Sequence, residues 1–174
     1  MTLILPVKTE HVTFDPPSLG HLGMIPEIVV GPVKDDRIWV ELEPDVWFRP
    51  LFFDMNHGSH GEMLKVKRGG VLSKHRHPSP VHGFVVRGSW RYLEHTWRAT
   101  EGSYVMEPPG EVHTLTCDAG DEMQSVFFIQ GPTLYVDDED KVTLVEDNFQ
   151  LIQACRDHYE KVGLGADFVN QFIR

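Results

Sequence analysis

The sequence predicts an all-β domain, an antiparallel sandwich or barrel, carrying an N-terminal arm and a C-terminal helical tail. Three observations predict it. From Arg37 onward the chain breaks into short runs of β-branched and aromatic residues, among them RIWVEL, DVWFRPLFFDM and GEMLKVKRG. Turn residues interrupt these runs roughly every eight to twelve positions, a spacing that suits antiparallel strands and leaves no room for alternating βαβ units. After Asp140 the apolar spacing changes to a helical one.

Taken in order, residues 1–36 are rich in Pro, Gly and His. They read as an extended arm with one short strand at Glu27 to Val30. Residues 37–140 supply the barrel, and its strand pattern continues through HGFVVRG, SWRYLEHTW, GSYVME, VHTLTC, MQSVFFIQG and TLYVDD. Residues 141–174 read as helices packed on the barrel, within one domain overall. Asp147 and Asn148 are the candidate N-caps there. Phe149, Ile152, Cys155, Tyr159 and Val162 follow at helical spacing, and Gly163 and Gly165 end the helix. Phe168, Val169, Phe172 and Ile173 suggest a second, shorter helix covering an open face of the strands.

A chain of 174 residues suffices for a single sizeable core. The net charge of −10 disfavours nucleic acid, which needs a basic face. Cys117 and Cys155 form no CxxC or disulfide-like pattern, which points to a reducing compartment. The N-terminus lacks a signal-peptide h-region, and no stretch approaches the length of a membrane span. The expectation is a cytoplasmic protein with neither a nucleic-acid nor a membrane partner.

Ten histidines are present, and six of them (His57, His60, His75, His77, His82 and His95) fall within 39 residues. His75 and His77 are two apart, so on a strand both point to one face and can share a metal ion. With His113 from a neighbouring strand they make a facial set that leaves coordination positions open, as a catalytic centre requires. Chance alone gives about 0.6 HxH pairs in this composition, so the pair by itself is weak evidence. The frame around it is stronger: Gly69 six residues before His75, Gly88 eleven after His77, then Gly102, Pro108, Gly110 and His113.

This frame resembles the cupin family, whose first motif is G(X)5HXH(X)3–4E(X)6G and whose second is G(X)5PXG(X)2H(X)3N. The resemblance implies a double-stranded β-helix, a jelly-roll-like barrel, and a metal held by His75, His77 and His113. Two positions depart from it. The glutamate slot holds Val81 or His82, and Cys117 replaces the closing Asn. The segments HRHPSPVHGFVVRGSWRYLEH, EPPGEVHT, GPTLYVDDEDKV and CRDHYEKVGLGADFVNQFIR further resemble the 2,4′-dihydroxyacetophenone dioxygenases, and more distantly the acetylacetone-cleaving dioxygenases. That implies a three-His Fe(II) centre that cleaves a C–C bond of an aryl hydroxyketone or related chelating ketone with O₂. Imidazoles suit iron, zinc and nickel alike, so iron rests on the resemblance.

Three further residues are candidates for proton handling or extra ligation. Glu107 opens the EPPG turn, Glu94 alternates with Trp90 and Tyr92, and His82 stands in the glutamate slot. Trp90, Trp97, Tyr92, Phe84 and Phe127 are candidates for core or for an aromatic pocket. Arg76 should face away from the metal by strand alternation. His57 and His60 read as a glycine-rich loop at the barrel mouth. Other readings are a non-catalytic metal-binding sensor, since some anti-sigma factors carry a similar HRHP stretch, and a cupin isomerase that forms the same enediolate without O₂. Exposed sheet edges and the arm suggest a homodimer or homotetramer.

Overall fold

A computed structural model of the chain describes residues 27–174. Most of the expected arm lies outside the described residues. Glu27–Val30 carry no strand, contrary to expectation, and regular structure begins with a 3₁₀ turn at Asp36–Ile38.

Twelve strands follow: β1 Val40–Glu43, β2 Val46–Asp54, β3 Ser59–Lys67, β4 Val71–Arg76, β5 Val81–Arg87, β6 Ser89–Tyr92, β7 Ala99–Thr100, β8 Tyr104–Glu107, β9 Val112–Thr116, β10 Glu122–Gln130, β11 Thr133–Val136 and β12 Val142–Glu146. They form two six-stranded sheets, in the orders β1-β2-β3-β10-β5-β8 and β12-β11-β4-β9-β6-β7, and every pairing within them is antiparallel. The chain is all-β, two antiparallel sheets with a helical tail. Strand β12 pairs with β11 in a stretch expected to belong to the helical segment, so the sheet runs beyond residue 140.

Alternation decides which side chains reach the interior. On β3 Leu64 and Val66 face in, and on β10 Met123, Ser125, Phe127 and Ile129 do. In β2 a bulge between Pro50 and Phe52 reverses the phase, so Phe48 and Phe53 both reach the core. That bulge also accommodates a proline, with its missing N–H, inside a paired strand.

One glycine of the motif frame is sterically required. At Gly88 the backbone is left-handed (φ +73°), and a Cβ there would sit 2.1 Å from the Glu122 carbonyl oxygen.

The tail forms helix α1, Asn148–Lys161, then a 3₁₀ segment at Ala166–Phe172. Asp147 caps α1, accepting from the Phe149 and Gln150 amides, while the Gln150 side chain accepts from the Asp147 amide. Leu151, Ile152, Cys155 and Tyr159 are buried and join the same core as Val40, Phe48 and Phe53. Phe149, expected on that apolar stripe, is 71% exposed, and Leu151 takes its place inside. Asn148 ties the helix to the β2–β3 corner, donating from Nδ2 to the carbonyls of Asp54 and Ser59 at 3.1 Å each. The chain end is fastened to the same corner: the Arg174 amide donates to the Phe53 carbonyl at 2.7 Å. The tail is thus a brace on the β1–β2 side, and it holds the start of β3, beside His60. No helix among the described residues is long and apolar enough to cross a membrane.

Candidate metal centre

His75 is the penultimate residue of β4, flanked in register by His113 on β9 and Tyr135 on β11. Alternation turns all three inward from one row of the sheet. His77 lies just past the end of β4. The Gly110 amide, from the left-handed Pro108–Gly110 turn, donates to the His77 carbonyl at 2.8 Å and fixes the backbone there. The proline–glycine part of the motif therefore positions a histidine from the other part.

The three imidazoles converge. Their ligating atoms all lie within 4.8 Å of one another, and all three residues are buried. The His75 and His113 ring centroids are 4.7 Å apart, His75 and His77 5.1 Å, and His77 and His113 5.8 Å. His75 donates from Nδ1 to the Ser73 carbonyl at 2.7 Å, which leaves the Nε2 lone pair bare. Tyr92 stacks on His113 at 4.1 Å with a 12° interplanar angle.

Glu107 completes the group. It is buried, and its Oε2 lies 3.6 Å from His77 Nε2 and 3.5 Å from His113 Nε2. The Tyr92 hydroxyl donates to Glu107 Oε1. Among the described residues Oε2 has no hydrogen-bond partner, nor has either ring nitrogen of His113, nor Nδ1 of His77.

Burial is the main cause of every shift here. It holds His75 below the ordinary histidine value and pushes His113 down to about 3 and His77 to about 2, with the neighbouring imidazoles adding to the fall of the last two. Burial raises the Glu107 carboxyl to about 7, against the Tyr92 hydrogen bond, which lowers it. The histidines are therefore neutral at physiological pH, the form that binds metal.

These residues fit a divalent metal. Unpartnered buried polar atoms are rare in folded proteins, and here several converge on one point. Glu107 Oε2 stands 3.6 Å and 3.5 Å from ring nitrogens of His77 and His113, so its charge favours a cation held by the histidines. A cation there would also draw the Glu107 carboxyl back to its ionised form.

The structure places the other expected site residues elsewhere. Glu94 is not in the site. The strand carrying Trp90 and Tyr92 inward ends at Tyr92, and the chain turns, so Glu94 emerges on the surface. There its carboxylate accepts from the Thr114 amide at 2.8 Å and the Thr114 hydroxyl at 2.7 Å. His82 is not in the site either. On β5 Val81 and Gly83 face in, which turns His82 outward to pair with the Tyr104 hydroxyl at 2.8 Å. Phe84 and Trp97 are exposed, whereas Tyr92 and Phe127 line the pocket beside the histidines. His57 occupies a turn, but His60, read with it as a loop, lies on β3 and points into the pocket.

Sequence reasoning missed His60, Glu62, Tyr135 and Glu146, all of which line the pocket. Two of these carried a signal. In SHGEMLKVK, counting back by twos from Leu64 and Val66 puts Glu62 and His60 on the apolar face. The rest of the wall is apolar, from Leu42, Leu64, Leu72, Val81, Leu115 and Ile129.

The model of the ChrR cupin-like domain family matches residues 30–133. An RmlC-like cupin protein from Ralstonia eutropha JMP134 is 27% identical over 78% of this chain and 90% of that one, with a TM-score of 0.67. An acetylacetone dioxygenase from Acinetobacter johnsonii is 20% identical over 76% of this chain and 95% of that one, with a TM-score of 0.63, a likeness of fold. A search of curated proteins finds no match. The family model spans well over half of the chain and contains all three convergent histidines, so the chain belongs to the ChrR cupin-like domain family.

Proposed function

We propose that the protein is a non-haem Fe(II) dioxygenase that cleaves a C–C bond of an aryl hydroxyketone, of the 2,4′-dihydroxyacetophenone type, or of a related chelating ketone. The observation that carries this reading is the convergence of three buried, neutral imidazoles and one bare carboxylate oxygen on a largely apolar pocket. The three imidazoles would leave positions for a bidentate ligand and O₂, with the carboxylate oxygen beside them free to take a proton. The sequence resemblance to C–C-cleaving dioxygenases supplies the reaction class.

When bound by His75, His77 and His113, Fe(II) supplies Lewis acidity towards the two substrate oxygens and redox chemistry with O₂. The residues of the chain do the remaining work. Three neutral ligands leave the charge of the ion uncancelled, which favours an anionic enediolate or enolate over the neutral ketone. Glu107 Oε2, unpartnered and beside two of the histidines, is placed to accept the proton whose loss forms that anion. Tyr92 holds the other carboxylate oxygen and the plane of His113. The apolar wall of Leu72, Leu115 and Ile129 excludes bulk water. Overall, a 2-hydroxyacetophenone and O₂ give a benzoic acid and formic acid, with both oxygen atoms retained in the products.

The test is oxygen uptake by anaerobically reconstituted Fe(II) protein on addition of 2-hydroxyacetophenones. A metal-sensing module is the second reading, favoured by the family to which the chain belongs. It predicts tight metal binding and no uptake, and an isomerase predicts ketone turnover without uptake.

A further inference from the structure

The pocket has a second polar end that the chemistry above leaves unused. Glu62, on β3, faces into it and is only 7% exposed. Its carboxyl makes no hydrogen bond among the described residues, and the one ionisable group paired with it, His60 Nε2, stands 4.0 Å away, beyond hydrogen-bond reach. His60 Nδ1 is buried and makes no hydrogen bond among the described residues. Glu146, on β12, reaches the same end, where its Oε2 has only a long contact of 3.4 Å from the Tyr135 hydroxyl.

Strand register fixes where this end lies relative to the histidines. His113, His75 and Tyr135 are consecutive across β9, β4 and β11. Glu146 pairs with Thr133, one strand further out, so its strand is two spacings, about 10 Å, from that of His75. In the facing sheet Glu107 and His60 belong to one row, Glu107–Val81–Ile129–His60, at opposite ends of three strand spacings, roughly 14 Å. The wall between the two polar ends is apolar, from Leu64, Phe127 and Ile129. The pocket therefore has a histidine end and a second polar end, carried on strands two to three spacings apart.

We infer that Glu62 and Glu146 form a subsite for a hydroxyl group at the end of the substrate remote from the metal, and that this subsite selects hydroxylated ketones over those lacking the hydroxyl. The inference rests on the metal-centred reading of the pocket given above. A buried carboxyl without a partner costs free energy in the empty protein, and an incoming O–H relieves that cost. An apolar group in the same place leaves it unrelieved. Burial, reinforced by Glu146, pushes Glu62 up to about 8, and burial pushes Glu146 up to about 7, so the pair retains a proton near neutrality and both donates and accepts. Sites built to hydrogen-bond a hydroxyl reject the analogue lacking it far more strongly than apolar pockets reject a lost methylene.

The experiment is anaerobic calorimetry on the Fe(II)-loaded protein with 2,4′-dihydroxyacetophenone and 2-hydroxyacetophenone, which differ only in the remote hydroxyl. The wild type should bind the first at least tenfold more tightly. Glu62→Leu should bring that ratio near unity while leaving the affinity for 2-hydroxyacetophenone within about threefold. Its melting temperature should rise, because an unpartnered buried polar group has been removed. Glu62→Gln, close in shape, guards against a folding artefact and should lower the ratio severalfold. Equal wild-type affinities, no binding of either ketone, or a ratio unchanged in Glu62→Leu overturns the subsite. A binding preference without oxygen uptake keeps the subsite and removes the dioxygenase reading, while uptake without preference does the reverse.

Discussion

Val81 and Glu107 face each other across the β5–β8 ladder. Val81 is one of the two residues at the position where the family motif carries a glutamate, and its cross-strand partner is a glutamate whose Oε2 stands within 3.6 Å of two of the three histidines. Strand β8 thus places a carboxylate beside the histidines where β5 has none.

That relationship yields the first prediction. Glu107→Ala should weaken metal binding about 10- to 100-fold, the usual cost of losing a group that supports metal ligands. Val81→Glu combined with Glu107→Ala returns a carboxylate to the pocket wall from the other strand. It should recover most of the affinity but little of the turnover, because the oxygen that takes the substrate proton has moved. Competition with a fluorescent chelator, set beside oxygen uptake, separates the two effects.

Single changes of His75, His77 or His113 to Ala should each abolish stoichiometric iron retention, read by elemental analysis after gel filtration. Changing His82 or Glu94 to Ala should leave retention unchanged, since both side chains are occupied outside the pocket. Loss of iron in His82→Ala would return that residue to the ligand set.

How much was legible in the sequence follows from how local each signal was. The glycine–proline frame carried the three histidines, because it encodes turns that need left-handed backbone or close approach, such as Gly88 against Glu122. His82 and Glu94 went astray for two different reasons. Spacing alone leaves the inward face of β5 undetermined, and nothing local announces that β6 stops at Tyr92. Glu62 and Glu146 lie 84 positions apart and meet only through the assembled sheets. Strand β12 was hidden by the helical texture that follows it, although VTLVE is itself β-branched.

Tyr92 serves two neighbours at once, and graded substitution should separate them. Tyr92→Phe keeps the ring on His113 but strips the buried Glu107 of its donor, a loss of about 1–3 kcal/mol in denaturant unfolding of the metal-free protein. Tyr92→Leu removes the stacking surface as well and should weaken iron binding further than Tyr92→Phe does.

Glu62 should leave a signature in the pH dependence of stability. Its folded value is raised by burial to about 8, above the ordinary 4.5. Its contribution is therefore fully present below about pH 4.5 and is lost as the pH climbs towards 8, because only the unfolded chain ionises in that window. His60, pushed down by burial to about 4, acts in the opposite sense between about pH 4 and its ordinary value of 6.5. The difference between variants isolates Glu62: the melting temperature of metal-free Glu62→Gln minus that of wild type should grow steadily from pH 5 to pH 8. A flat difference would mean that Glu62 is ionised or solvated in the folded protein.

The helical brace is testable apart from the chemistry. Asp147→Ala removes the cap of α1 and should cost about 1 kcal/mol. Asn148→Ala releases the carbonyls of Asp54 and Ser59 and should cost about 1–3 kcal/mol. Amide exchange should quicken at the start of β3, beside His60, in Asn148→Ala but less in Asp147→Ala.

The central claim is that the three-histidine pocket performs oxygen-dependent cleavage. Its most direct measurement is oxygen uptake by iron-reconstituted protein mixed with 2,4′-dihydroxyacetophenone, with products identified under ¹⁸O₂. The account predicts one O₂ consumed per ketone and one labelled oxygen atom in each carboxylic acid formed, with uptake lost in His75→Ala. Iron bound stoichiometrically at the histidines, with no oxygen consumed on this or any other chelating ketone, would contradict it.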